Sequence, residues 1–111
     1  MIDKQLYHTP NAVMRTLASP TLGASELAVW TVEMRAGQAG PLHTTDAEQV
    51  WVVLEGRLAL NGVEHDDAFV IAAGEPRRIT APVDARAVVA SRSGVNVTTD
   101  EGGMRPLPWA A

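Results

Sequence analysis

Apolar residues along the chain come in short runs, several of them alternating with polar ones, and glycine or proline closes almost every run. The runs cover residues 13–19, 26–35, 48–54, 57–60, 68–72, 78–81, 86–91 and 95–99. Most are too short for ordinary helices, and several are rich in Val, Ile, Thr or Trp, which suit a pleated surface. Turn signals recur at intervals of about 8 to 12 residues, the pattern of an all-β sandwich or barrel. Asn61-Gly62, directly after the run at 57–60, marks a tight two-residue hairpin.

Two segments need separate treatment. Thr45-Asp46-Ala47-Glu48 has the form of a helix capping box, and Val50, Val53 and Leu54 lie at helical spacing, so 45–55 also fits a helix. Three valines around Trp51 favour a strand there. The tail from Gly102 to Trp109 carries prolines at alternate positions, which excludes a helix or a central strand. It is expected as an extended arm across the barrel or a neighbouring subunit.

Composition narrows the classes. A chain of 111 residues, 46% hydrophobic and 20% charged, is enough for one real core and too apolar for disorder. A net charge of −4 with scattered arginines argues against nucleic acid, which needs a concentrated basic face. No cysteine is present, so disulfides, thiolate metal sites and cysteine nucleophiles are excluded. The longest apolar runs, near 50–54 and 68–73, fall far short of the roughly 20 residues that span a bilayer. The start, MIDKQLYH, has no apolar signal core. A soluble cytoplasmic protein is the expectation.

The stretch GQAGPLHTTDAEQVWVVLEG (37–56) resembles the first signature of the cupins, with Gly37, His43 and Gly56 in register, and DDAFVIAAGEPR (66–77) resembles the second, matched best at Gly74 and Pro76. The resemblance implies a cupin-like double-stranded β-helix, a small jelly-roll barrel. It implies a barrel over residues 26–100, with 1–25 as N-terminal arm and edge strand and 101–111 as C-terminal arm. Cupins typically hold a divalent metal with two histidines and a glutamate from the first signature and a histidine from the second. At those positions this chain has His43, Thr45, Gln49 and Arg77. Only one ligand of four is kept, and a guanidinium at ligand distance repels a divalent cation. The expectation is therefore no metal and no cofactor.

Alternation anchored on Gln49 puts Gln49, Trp51 and Val53 on one face and Glu48, Val50 and Val52 on the other. The cupin register turns Gln49 and Arg77 inward with His43; a slip of one residue would turn Arg78 inward instead. His43 is then a candidate general acid/base, Arg77 a binder of carboxylate or enolate, and Gln49 the residue that orients them. Thr45, Trp51, Glu48 and Glu33 are candidate ligand-binding residues. A buried guanidinium needs Glu33 or Glu48 nearby, or an anionic ligand. The plainer readings are His43 as a structural residue, Trp30 and Trp51 as core aromatics, Glu33 as a solvated carboxylate, and His8 and His65 in solvent. Ser19, Ser25, Ser91 and Ser93 lie outside the recognisable site, so a nucleophile triad has little support.

Three functions follow. The first is a metal-independent enzyme of proton transfer, such as an isomerase, cyclase or dehydratase, acting on a small oxygenated or carboxylate metabolite. The second is a non-catalytic cupin that binds a small molecule in the barrel. The third is a metal-dependent, oxygenase-type cupin with a reduced ligand set. Both faces of residues 48–54 are apolar, so a homodimer is expected as well.

Overall fold

Every one of the eight apolar runs yields a strand in the computed structural model, which describes residues 5–100 and 102–111. The first four residues of the N-terminal segment and Glu101 of the C-terminal one lie outside the described residues. The strands in chain order are β1 (Leu6–His8), β2 (Val13–Ala18), β3 (Leu27–Met34), β4 (His43–Thr45), β5 (Gln49–Glu55), β6 (Leu58–Leu60), β7 (Val63–His65), β8 (Ala68–Ile71), β9 (Ile79–Thr80), β10 (Ala85–Arg92), β11 (Asn96–Thr99) and β12 (Gly103–Pro106). Single 3-10 turns at Pro20–Leu22 and Pro108–Ala110 are the helical elements among the described residues. No helix there is long and apolar enough to cross a membrane.

One layer is a six-stranded antiparallel sheet in the order β1-β2-β3-β10-β5-β8. The other consists of two three-stranded sheets, β12-β11-β4 and β7-β6-β9. Two isolated antiparallel bridges, His43 with Arg77 and Ala39 with Thr80, join these half-sheets. The result is a cupin-like jelly-roll barrel. Its core is built by period-two alternation: Gln49, Trp51 and Val53 of β5 are buried while Val50, Val52 and Leu54 are exposed. Trp30, Val32 and Met34 of β3 join Ala87 and Val89 of β10 in the same core.

Local chemistry explains the turns. The helix alternative for 45–55 is not realised, because the polar side chains meant for a cap stabilise a strand connection. Thr45 Oγ1 donates to the Ala47 carbonyl at 3.0 Å, and Asp46 accepts from the backbone and side-chain nitrogens of Asn96 at 2.8 and 2.9 Å. Asn61 and Gly62 have φ of 50° and 85°, the two positive values that a type I′ hairpin between β6 and β7 requires. Gly56, at φ 69°, passes so close to the Asp84 carbonyl oxygen that a Cβ would overlap it.

Both terminal segments are integrated as far as they are described. β1 and β2 extend the large sheet next to β3. The proline-rich tail forms an edge strand, β12, against β11, as a segment poor in N–H donors must. Beyond it, Leu107 and Ala110 are buried in the core of this same barrel.

Candidate functional site

The seam between the two half-sheets brings the candidate residues together. At the bridge, His43 N donates to the Arg77 carbonyl at 3.0 Å and Arg77 N to the His43 carbonyl at 2.9 Å. Directly opposed residues of an antiparallel pair send their side chains to the same face. Both therefore enter the barrel, and Arg78, one residue on, is exposed. The hairpin residue Asn61 holds this segment in place: its Oδ1 accepts from Arg78 N at 2.9 Å and its Nδ2 donates to the Pro76 carbonyl at 3.3 Å.

Inside, Arg77 is a hub. Its Nε donates to His43 Nε2 at 3.1 Å and its Nη2 to Gln49 Oε1 at 2.8 Å. The same Gln49 oxygen accepts from Trp51 Nε1 at 3.1 Å. His43 Nδ1 lies 2.8 Å from the Pro41 carbonyl. A carbonyl only accepts and a guanidinium only donates, so the network specifies a neutral imidazole with its proton on Nδ1 and its lone pair on Nε2. Burial lowers the His43 pKa below 6.5; the Pro41 hydrogen bond opposes that, and the Arg77 charge adds to it. At neutral pH the ring is a free base in protonation, although its lone pair is engaged.

Arg77 itself is 1% exposed. Desolvation brings its pKa down to about 10 while Glu75 pulls it back up, so it remains a cation at neutral pH. Among the described residues it has no carboxylate within ion-pairing distance, and its Nη1 is buried without any hydrogen-bond partner. A buried cationic N–H in that state is costly unless a ligand atom or water meets it.

The network forms the floor of a cavity of about 520 Å³, lined by His43, Thr45, Gln49, Trp51 and Arg77 among others. Thr45 is 2% exposed, with its hydroxyl turned to Ala47. Two expected binders are placed elsewhere, and this corrects the reading of them. Glu48 is exposed on the outer face, since it is one residue out of phase with Gln49. Glu33 is exposed on the outer face of β3, where its carboxylate lies 3.7 Å from Arg86. Neither is the carboxylate partner that Arg77 was expected to need; Glu75, two residues from Arg77 and unremarked in the sequence, is the acidic group it feels. Trp30 is both core and cavity wall. His8 is exposed, whereas His65, expected in solvent, is half-buried with its ring 4.8 Å from that of Phe69. Sequence reasoning also missed the walls supplied by the chain ends, Met14, Arg105 and Trp109; no local signal carries such long-range proximity.

The four positions associated with metal ligands do not fit a divalent ion. The Nε2 lone pair of His43 and the Gln49 oxygen both already accept from a cation, Thr45 is turned away, and the fourth position is that cation. Among the described residues no three His, Cys, Asp or Glu side chains cluster as a metal would require.

No protein-family model matches the chain, and no curated protein matches it in sequence. Solved structures do. The polyketide cyclase RemF from Streptomyces resistomycificus is 26% identical with a TM-score of 0.65, over 75% of this chain and 66% of that one. An acetylacetone dioxygenase from Acinetobacter johnsonii is 14% identical with a TM-score of 0.74, over 99% and 83%. Salicylate 1,2-dioxygenase from Pseudoaminobacter salicylatoxidans is 19% identical with a TM-score of 0.69, over 86% of this chain but only 31% of its own. The likeness to the two dioxygenases is one of fold alone. These neighbours are enzymes on the cupin fold.

Proposed function

We propose that this chain is a metal-independent enzyme of proton transfer, an isomerase, cyclase or dehydratase acting on a small, largely apolar carbonyl compound. The observation that carries the reading is the buried Arg77 guanidinium in the lining of the cavity, with its Nη1 left without a partner. A substrate carbonyl oxygen that accepts from the guanidinium competes with His43 Nε2 for the same cation and frees the imidazole lone pair. His43 Nε2 then takes a proton from the carbon next to the carbonyl; the C–H electron pair becomes the C=C bond and the carbonyl π pair moves onto oxygen. Arg77 stabilises that enolate oxygen, the task a metal would otherwise perform, and Gln49 keeps the guanidinium in place. The imidazolium returns the proton to another carbon in an isomerisation. In a cyclisation the enolate carbon attacks a second carbonyl, whose oxygen receives the proton. The low pKa of His43 keeps it unprotonated at neutral pH and makes it a ready donor in the return step. Similarity to a polyketide cyclase supports cyclisation within this group.

The test is proton–deuterium exchange of aryl 1,3-diketones in D2O, followed by NMR. The wild-type protein is expected to accelerate exchange, His43→Ala to lose about 10²- to 10⁴-fold of that acceleration while still binding, and a chelator to change nothing. A chelator-sensitive rate would overturn the metal-independent reading. Binding without exchange would favour the second reading, a non-catalytic ligand-binding protein, which is supported by the engagement of the His43 lone pair at rest.

The outer face of the large sheet supports a homodimer. Val50, Val52 and Leu54 are 38%, 40% and 50% exposed, and Val70, paired with Val50, is 56% exposed. A second copy covering this patch would remove contiguous apolar area from water. Light scattering should give twice the 11.8 kDa chain mass and Val52→Lys a monomer; a monodisperse wild-type monomer at micromolar concentration refutes it.

A further inference from the structure

The cavity separates charge against the trend of the molecule. The chain carries 13 acidic residues against 9 Lys and Arg, yet among the described residues no carboxylate lines the cavity and two arginines do. Arg77 is the buried one, at the floor. The other is Arg105, exposed on β12 and therefore at the rim. In the ladder Arg105 lies opposite Val97, a buried residue that also lines the cavity, so the Arg105 side chain leaves its strand on the cavity side. Among the described residues Arg105 has no ion-pair partner. The wall is mostly apolar and includes all three tryptophans of the chain, Trp30, Trp51 and Trp109.

We infer that Arg105 is a second anion anchor, and that the cavity takes a flat aromatic ligand with oxygen functions at both ends. The floor end carries a phenolic or enolisable oxygen for Arg77, and the rim end carries a carboxylate for Arg105. The floor half of this assignment rests on the role proposed above for Arg77; the rim half does not. Flat rings match tryptophan faces, and a carboxylate meets a guanidinium through two parallel charge-assisted hydrogen bonds. Arg105 is thus a specificity-determining residue, remote from the atoms that react.

Isothermal titration calorimetry with three probes tests this: 6-hydroxy-2-naphthoate, 2-naphthol, which lacks the carboxylate, and 2-naphthoate, which lacks the hydroxyl. Wild-type protein should prefer 6-hydroxy-2-naphthoate over 2-naphthol by about tenfold, and the preference should shrink as salt rises. Arg105→Gln should erase it and leave 2-naphthol affinity unchanged, whereas Arg77→Gln should weaken both hydroxylated probes and spare 2-naphthoate. If Arg105→Gln leaves the preference intact while Arg77→Gln weakens the hydroxylated probes, the rim anchor is wrong and the floor reading stands. If Arg77→Gln changes nothing while Arg105→Gln erases the preference, the floor reading fails and the rim anchor stands. Equal weakening of all three probes by Arg105→Gln would make it a wall residue, and no binding of any probe at millimolar concentration would overturn the ligand class.

Discussion

Replacing Arg77 by methionine should stabilise the protein and weaken its binding of ligands that carry a phenolic or enolisable oxygen. Methionine has similar length and no charge to desolvate. In the folded chain the guanidinium is 1% exposed, donates to His43 and Gln49, and leaves Nη1 without a partner. Replacing buried ionic groups by apolar ones of similar volume is often neutral or stabilising, by about 1–4 kcal/mol. Here the gain is reduced because His43 Nε2 loses its donor, so about 1 kcal/mol, a rise of several degrees in melting temperature, is expected. Loss of the buried charge that meets this oxygen should cost such ligands about 100-fold in affinity. Opposite signs for stability and binding are what distinguish a functional cation from a structural one.

The same variant should change how the protein responds to pH. His43 has its pKa lowered first by burial and also by the Arg77 charge. Between that lowered value and 6.5 the unfolded chain binds a proton that the folded chain refuses, so stability rises with pH through this window. The contribution is complete above 6.5 and is lost as pH falls through the window. Removing Arg77 moves the folded pKa up toward 6.5 and flattens the slope, which NMR titration of the His43 ring and melts between pH 5 and 8 would both detect. A destabilised Arg77→Met protein that still binds those ligands would show that the guanidinium is a structural hub only.

Legibility in the sequence followed composition and punctuation. Runs such as 86–91 and 48–54 are rich in valine and bounded by turn signals, so β10 and β5 were visible although both faces of 48–54 are apolar. The strands that escaped, β1, β4, β7 and β12, are three or four residues long, with sequences such as HTT, VEH and GMRP. They are held by backbone ladders and bear too few apolar side chains to show a period. In the site, Gln49 and Trp51 share a strand, and their common face was readable. Strand alternation excludes Glu48, which was nonetheless a candidate on sequence proximity. That Arg77 Nε meets His43 Nε2 depends on the pairing of segments 34 residues apart, a register that no local pattern states. The walls from the two terminal segments, Met14 from one and Arg105 and Trp109 from the other, were invisible for the same reason.

Those chain ends yield the largest expected stability effect. Leu107 is 7% exposed, and its N–H donates to the Val95 carbonyl at 3.1 Å. Around it, the Trp109 carbonyl accepts from Thr16 Oγ1 at 2.8 Å, and the Trp109 ring lies 6.1 Å from that of Tyr7. The tail is therefore a plug in its own barrel as well as a cavity wall. Leu107→Asp places an unpaired carboxylate among core residues and should cost about 3–5 kcal/mol, a large part of the roughly 5–15 kcal/mol that holds such a domain together. Met104→Asp, on the same segment but 67% exposed, should stay within about 0.5 kcal/mol. Urea unfolding of both variants measures the difference. The Leu107→Asp penalty should not depend on protein concentration, because the tail packs on its own chain; a penalty that faded on dilution would mean that the segment is exchanged with a second copy, and a loss below about 0.5 kcal/mol would mean that it is no part of the core.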